Sequence, residues 1–103
     1  MSTFTNKKLA RASLTTTLDT YYTVPGATTT IVTVITLSNS NTSTARTVSV
    51  KIGGKFILAS YLLATTETLS LSDPHVLATT ETIQAQQDVG TDVDLNISGV
   101  EIT

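Results

Sequence analysis

The chain contains no cysteine, which removes disulfide frameworks and thiolate metal sites and leaves the redox compartment open. Tryptophan is absent and aromatics make up only 5%, so any core is largely aliphatic. Charged residues are few, at 14%, and the formal net charge is -2; the molecule as a whole offers no field for gathering nucleic acid. No apolar run is long enough to span a bilayer as a helix. Lys7, Lys8 and Arg11 are followed by Ala12-Ser13-Leu14-Thr15 rather than an apolar segment, so the start of the chain does not read as a secretory leader. A soluble protein with neither membrane nor nucleic-acid partners is the expectation.

What the chain has in quantity is threonine and serine, with 40% hydrophobic residues over 103 positions. That combination suits the pleated, half-buried surfaces of an all-β domain and is too apolar for disorder. The length fits one domain with a single modest core. Residues 20–38 organise the rest. Within them, residues 29–37 are rich in β-branched side chains, with Ile31, Ile35 and Leu37 on one face and Val32 and Val34 beginning the other. A strand apolar on both faces belongs in the middle of a sheet. Left bare it is an aggregation hazard, so a second sheet or another chain must cover it.

Around this strand the period-2 pattern recurs. Residues 14–24 alternate, with Leu14, Leu18, Tyr22 and Val24 on one face. Pro25-Gly26 reads as a turn, with Gly26 supplying the positive φ. Asn39-Ser40-Asn41-Thr42-Ser43-Thr44 reads as a loop. Val48, Val50 and Ile52 alternate up to Gly53-Gly54, a two-residue hairpin signal, and Phe56, Ile57 and Leu58 return.

Leu63-Ala64-Thr65-Thr66-Glu67-Thr68-Leu69 recurs as Leu77-Ala78-Thr79-Thr80-Glu81-Thr82-Ile83. One repeated unit is too short for a solenoid; it fits a duplication or two corners with the same geometric need. Asp73-Pro74 turns the chain between the copies. Residues 92–103 change phase between Ile97 and Val100, which places a bulge at Ser98-Gly99.

The sum is a single antiparallel β-sandwich, jelly-roll or Ig-like, of seven to eight strands over residues 14–103. Its expected core is Leu18, Tyr22, Ile31, Ile35, Leu37, Val48, Val50, Ile52, Phe56, Leu58, Leu69, Leu71, Val93, Leu95 and Ile97. Residues 1–13 stand outside the pattern as an N-terminal arm. They hold Lys7, Lys8 and Arg11, half of the six basic residues. The arm is either a solvated terminus or a segment, mobile in the free protein, that orders against an acidic partner surface. Phe4, Lys7, Lys8, Leu9 and Arg11 are its candidate partner-binding residues.

Constellations for catalysis are thin. His75 beside Asp73-Pro74 reads as a turn residue, and no serine is marked as activated. Glu67 and Glu81 occupy equivalent repeat positions, formally a carboxylate pair, but solvated corners explain them better. Asp88, Asp92 and Asp94 cluster near Gly90 without the spacing of a calcium loop. Two Asn-x-Ser patterns, at Asn41 and Asn96, mean little without a secretory leader. The expectation is a non-enzymatic protein without cofactor or metal.

Several stretches together carry a resemblance: Tyr22-Thr23-Val24-Pro25, the threonine-rich strand after it, the Asn-Ser-Thr loop, Val48 to Ile52 with Gly53-Gly54, the paired Leu-Ala-x-x-Glu-Thr corners, and the ending Ser98-Gly99-Val100-Glu101-Ile102. Over residues 14–103 the chain resembles the small all-β structural proteins of tailed bacteriophage virions. In that group the corner before the glutamate usually carries Pro or Gly, where this chain has Thr65-Thr66 and Thr79-Thr80. The resemblance implies a capsid decoration (cement) protein bound to the major capsid protein lattice, with head–tail connector, tail or baseplate components as the alternative. It also implies other virion proteins and further copies of itself as partners, and a place in the virion after assembly in the host cytoplasm. A carbohydrate-binding β-sandwich is the rival from another class; it needs exposed aromatics, for which Tyr21, Tyr22 and Tyr61 are the candidates.

Overall fold

The computed structural model describes residues 3–103. Nine strands form: β1 (Phe4–Ser13), β2 (Asp19–Thr23), β3 (Thr29–Asn39), β4 (Arg46–Ile52), β5 (Lys55–Leu63), β6 (Thr68–Leu71), β7 (His75–Leu77), β8 (Thr82–Gln87) and β9 (Val93–Ile102). Among the described residues there is no helix, hence none long and apolar enough to cross a membrane.

Sheet I has the order β1-β9-β3-β6, with β7 also paired to β3; sheet II has the order β2-β8-β4-β5. All pairings are antiparallel. β6 pairs with residues 35–38 of β3 and β7 with residues 30–32. They are therefore one return strand along one edge of β3, interrupted at Ser72-Asp73-Pro74. Asp73-Pro74 bends this strand and does not reverse it, in contrast to the expected turn. Counting β6 and β7 together, eight strands alternate between two four-stranded sheets, and only β4 and β5 are joined as a hairpin within one sheet. That wiring is the jelly roll; an Ig-like sandwich keeps more consecutive strands in the same sheet.

The inner faces of both sheets make one core: Leu14, Val24, Val32, Ile35, Leu37, Val48, Val50, Leu63, Leu77, Ile83, Ala85, Val93, Leu95 and Ile97 are buried. Seven of these match the expected core. Phe56 does not: it is 53% exposed on the outer side of β5, where Lys51 Nζ sits 5.0 Å from its ring centroid. Ile31 is half-buried on the outer face, and Val32 takes the inward position. The expected strand over residues 14–24 is shortened to β2, because residues 14–18 cross from sheet I to sheet II. Ala27, at φ 55°, takes the left-handed position assigned to Gly26.

The expected bulge in the last strand lies instead in both of its neighbours. β9 alternates without a break, with Val93, Leu95, Ile97 and Gly99 all inward and buried. The register shifts occur between Lys8 and Ala10 in β1 and between Val32 and Val34 in β3, so Leu9 and Thr33 are the extra residues opposite Ser98. Gly99 explains the place. A Cβ there would run into the Ile31 carbonyl and lie 2.9 Å from Leu9 Cδ1, so the missing side chain lets both flanking strands close in.

The arm expected at residues 1–13 is corrected by the structure. Met1 and Ser2 lie outside the described residues, but Phe4–Ser13 is strand β1, paired with β9 along its length. The reason is that β9 presents a free backbone edge, while Leu9 and Ala10 pack against the core. The sandwich thus extends to residue 4, which adds β1 to the seven to eight strands expected over residues 14–103.

The repeat is explained by the wiring. Its copies form the β5–β6 and β7–β8 crossovers. Leu63 and Leu77 are buried, Thr66 and Thr80 take positive φ, and the glutamate carboxylate accepts from the alanine N–H at 2.8 Å in one copy and 2.7 Å in the other. The copies close opposite ends of the sandwich. Glu67 pairs by backbone with Asn39 at the end of β3, whereas Glu81 pairs with Val24 just before β3 begins.

Candidate interaction surface

The inner face of each strand is consumed by the core, so a partner must be met by the outer faces, the edges or the loop ends. The end of the sandwich holding residues 14–18, 40–45, 64–67 and 88–92 is tied internally. The Asp92 carboxylate accepts from Arg46 Nε at 3.0 and 3.1 Å, from Asn41 Nδ2 at 2.7 Å and from Gln87 Nε2 at 2.9 Å. These donors hold its carboxyl well below the usual carboxylate range. Gln87 is buried, and its Oε1 accepts from Val93 N at 3.0 Å. Buried Asn39 donates to the carbonyls of Thr44, Leu63 and Ala64. Three loops are locked together by polar groups that satisfy one another.

The acidic residues grouped by sequence are not gathered around a common point. Asp92 serves Arg46; Asp88 accepts from the N–H groups of Thr47 and Val89; Asp94 accepts from the Ser13 hydroxyl. Among the described residues no group of three potential ligands could hold a metal ion. Glu67 and Glu81 are separated by the length of β3, about 33 Å at strand rise, so they do not form a carboxylate pair.

At the other end, Glu101 lies between the sheets. It accepts from the Tyr22 hydroxyl, which also meets Thr30 Oγ1 at 2.8 Å, and from Lys7 Nζ at 3.2 Å. Burial and the neighbouring carboxylate push the Tyr22 hydroxyl up to about 12, and the Tyr22 and Lys7 donors lower Glu101. The Tyr61 hydroxyl is likewise given to Glu67. All three tyrosines are half-buried, so none is the open aromatic platform that sugar binding asks for.

The candidate residues on β1 divide between its two faces. Leu9 faces the core, and Lys7 turns toward Glu101. Phe4, Lys8 and Arg11 are exposed and share the outer face with Asn96, which accepts from Arg11 Nε at 3.2 Å. No acidic residue lies on β1.

Beside them the outer face of sheet I is divided along its length. Toward the Asp92 end it is polar, with Arg11, Asn96, Thr36 and Ser70 in successive register. Toward the chain termini it is apolar. Phe4 opposes Ile102, and Val100 opposes Ile31, which opposes Val76. Phe4 and Val76 are each 69% exposed. This stripe crosses all four strand positions of the sheet, and its residues come from four separate segments of sequence. Phe4 and the two-sided apolarity of the central strand were its traces in the sequence; the register that aligns the rest was not visible there.

By sequence the chain matches no protein-family model and no curated protein. Among solved structures, all of it (100%) superposes on 94% of a chain from the acidic stable capsid structure of Helicobacter pylori bacteriophage KHP30, at TM-score 0.60 and 11% identity. It is also similar to the CBM36-1 domain of a multidomain xylanase from the hindgut metagenome of Trinervitermes trinervoides (TM-score 0.44, 18% identity, 98% of this chain and 97% of that one). A third similarity is to a pentameric capsid protein isolated from metagenomic phage sequences (TM-score 0.28, 15% identity, 97% of this chain and 59% of that one). The first shows a shared fold. The other two are too distant to carry an argument.

Proposed function

We propose that this protein is a non-enzymatic structural component of a tailed-phage virion, a decoration protein that docks on the major capsid protein lattice. The observation that carries the reading is the outer face of sheet I. A domain whose core is complete still leaves an apolar stripe in the open, next to the exposed cations of Lys8 and Arg11. Apolar area of that kind marks a surface that is covered in use. The jelly-roll fold, shared with a chain of a phage capsid structure, is compatible with packing in many copies.

On this reading Phe4, Lys7, Lys8, Leu9 and Arg11 form the partner-binding strand in two ways. Phe4, Lys8 and Arg11 meet the lattice directly, with the cations facing acidic groups. Leu9 and Lys7 hold β1 to the core and to Glu101. A neck, tail or baseplate position is the alternative, and symmetry separates the two. In an electron-density map of the purified particle, with copy number from quantitative mass spectrometry, a decoration protein follows capsid symmetry in hundreds of copies. A ring of about a dozen or fewer moves it to the tail, and absence from the particle refutes the virion reading. Arg11→Glu, which leaves the core untouched, should lower occupancy on the particle.

A further inference from the structure

The apolar stripe has an outline that fits a second copy of this chain. It runs across the sheet from Phe4 on β1, through Ile102, Val100 and Ile31, to Val76 on β7, and none of these positions is charged. The nearest formal charges flank it on opposite edges and have opposite sign. Lys8 pairs in register with Ser98, and Ser98 with Val34. Residues 33–34 lie between the segments of β3 that pair with β7 and β6, so the bend 72–74 stands at the same level. Exposed Lys8 therefore marks one edge of the sheet and exposed Asp73 the other, at one height.

The geometry points to a two-fold homodimer through the outer face of sheet I, with the axis parallel to the strands between β9 and β3. That operation lays β1 of one copy over the β6–β7 edge of the other. Val100 then meets Ile31 of its partner in register, Val76 meets Asn6 with Phe4 and Ile102 two residues further along their strands, and Lys8 meets Asp73, each contact occurring twice as an isologous interface requires. Rotating the second copy end for end would instead lay β1 with its three cations over β1 of the partner, bringing like charge together and parting Lys8 from Asp73. Edge-to-edge pairing through β1 is disfavoured for the same reason, because Lys7, Lys8 and Arg11 would face three more cations. The stripe is about 14 Å wide at strand spacing, so the interface falls at the small, weak end of specific contacts. The dimer and the capsid lattice use the same face, so they compete for it, and a copy docked on the lattice has given up its dimer partner; the inference is tested on the purified protein without any particle.

The experiment is sedimentation equilibrium of the purified chain over a wide concentration range. A monomer–dimer equilibrium with a dissociation constant of about 1–100 µM is expected. Val76→Glu should weaken it at least about tenfold while the melting temperature measured at high dilution stays unchanged. Lys8→Glu and Asp73→Lys should each weaken association, and the double variant should restore it. Three results overturn the proposal: a monomer at every concentration, a dimer indifferent to Val76→Glu, or two charge reversals whose effects merely add.

Discussion

Gly99→Ala tests the account of why both neighbours of β9 bulge at the same height. The backbone at Gly99 has no positive φ, so alanine is conformationally allowed. By entropy alone it would stabilise the fold by about 0.4–1 kcal/mol. Against this stands a collision. The added Cβ would strike the Ile31 carbonyl oxygen, lie 3.3 Å from that carbonyl carbon and sit 2.9 Å from Leu9 Cδ1. Leu9 can rotate away, but Ile31 is held by its ladder to Val100, so the backbone of β3 must shift. Overpacking of this kind costs about 1–3 kcal/mol, which leaves a net loss of about 1–2 kcal/mol. For a domain of this size that lowers the melting temperature by about 4–16 °C. Gly26→Ala is the control, because Gly26 has no atom within 4 Å of an added Cβ and no positive φ; it should be neutral or slightly stabilising. Calorimetry of both variants at one protein concentration decides it. A Gly99→Ala protein that melts with or above the wild type would refute the steric account of the paired bulges.

Other variants probe the core, the corners and the titrating groups. Val50 is fully buried, so Val50→Asp should cost more than about 3 kcal/mol through an unpaired buried charge, read by urea denaturation. Glu81→Ala removes the acceptor for Ala78 N–H and should cost about 1 kcal/mol. Glu67→Ala, which also strands the Tyr61 hydroxyl, should cost more, and because the corners are at opposite ends the double variant should be additive. Asp92 is lowered by Arg46, Asn41 and Gln87: its contribution is present above the unfolded value near 3.8 and is lost as pH falls below it, so Asp92→Asn should flatten the acid limb of the stability profile. Tyr22 is shifted the other way, from 10.0 to about 12. Its contribution is complete below pH 10 and disappears as pH rises toward 12; all three tyrosines are raised, and absorbance titration should lose the most delayed of the three steps in Tyr22→Phe.

Alternation along single strands was enough to read the all-β class, the inward faces of β4 and of the first half of β9, the Gly53-Gly54 hairpin and the two repeated corners. These depend on contacts within a few residues: a side chain's face is set by its position in the pleat, and the corner glutamate reaches an N–H only three positions back. Tertiary structure decided the rest. Whether Phe4–Ser13 is a tail or a strand depends on backbone bonds to β9, which carry no side-chain signature, and an edge strand dotted with cations has the composition of a solvated terminus. The phase change near Ser98 was visible, but its owner was not. Only the close approach permitted by Gly99 transfers the extra residue from β9 to β1 and β3. Asp92 could not be told from Asp88 or Asp94 until three loops brought Arg46, Asn41 and Gln87 to it. The apolar stripe followed the same logic: Phe4 and Lys8 stood out in the sequence, while Val76, Val100 and Ile102 became part of a surface through register. Local patterning places a side chain on a face; pairing between distant strands decides what stands beside it.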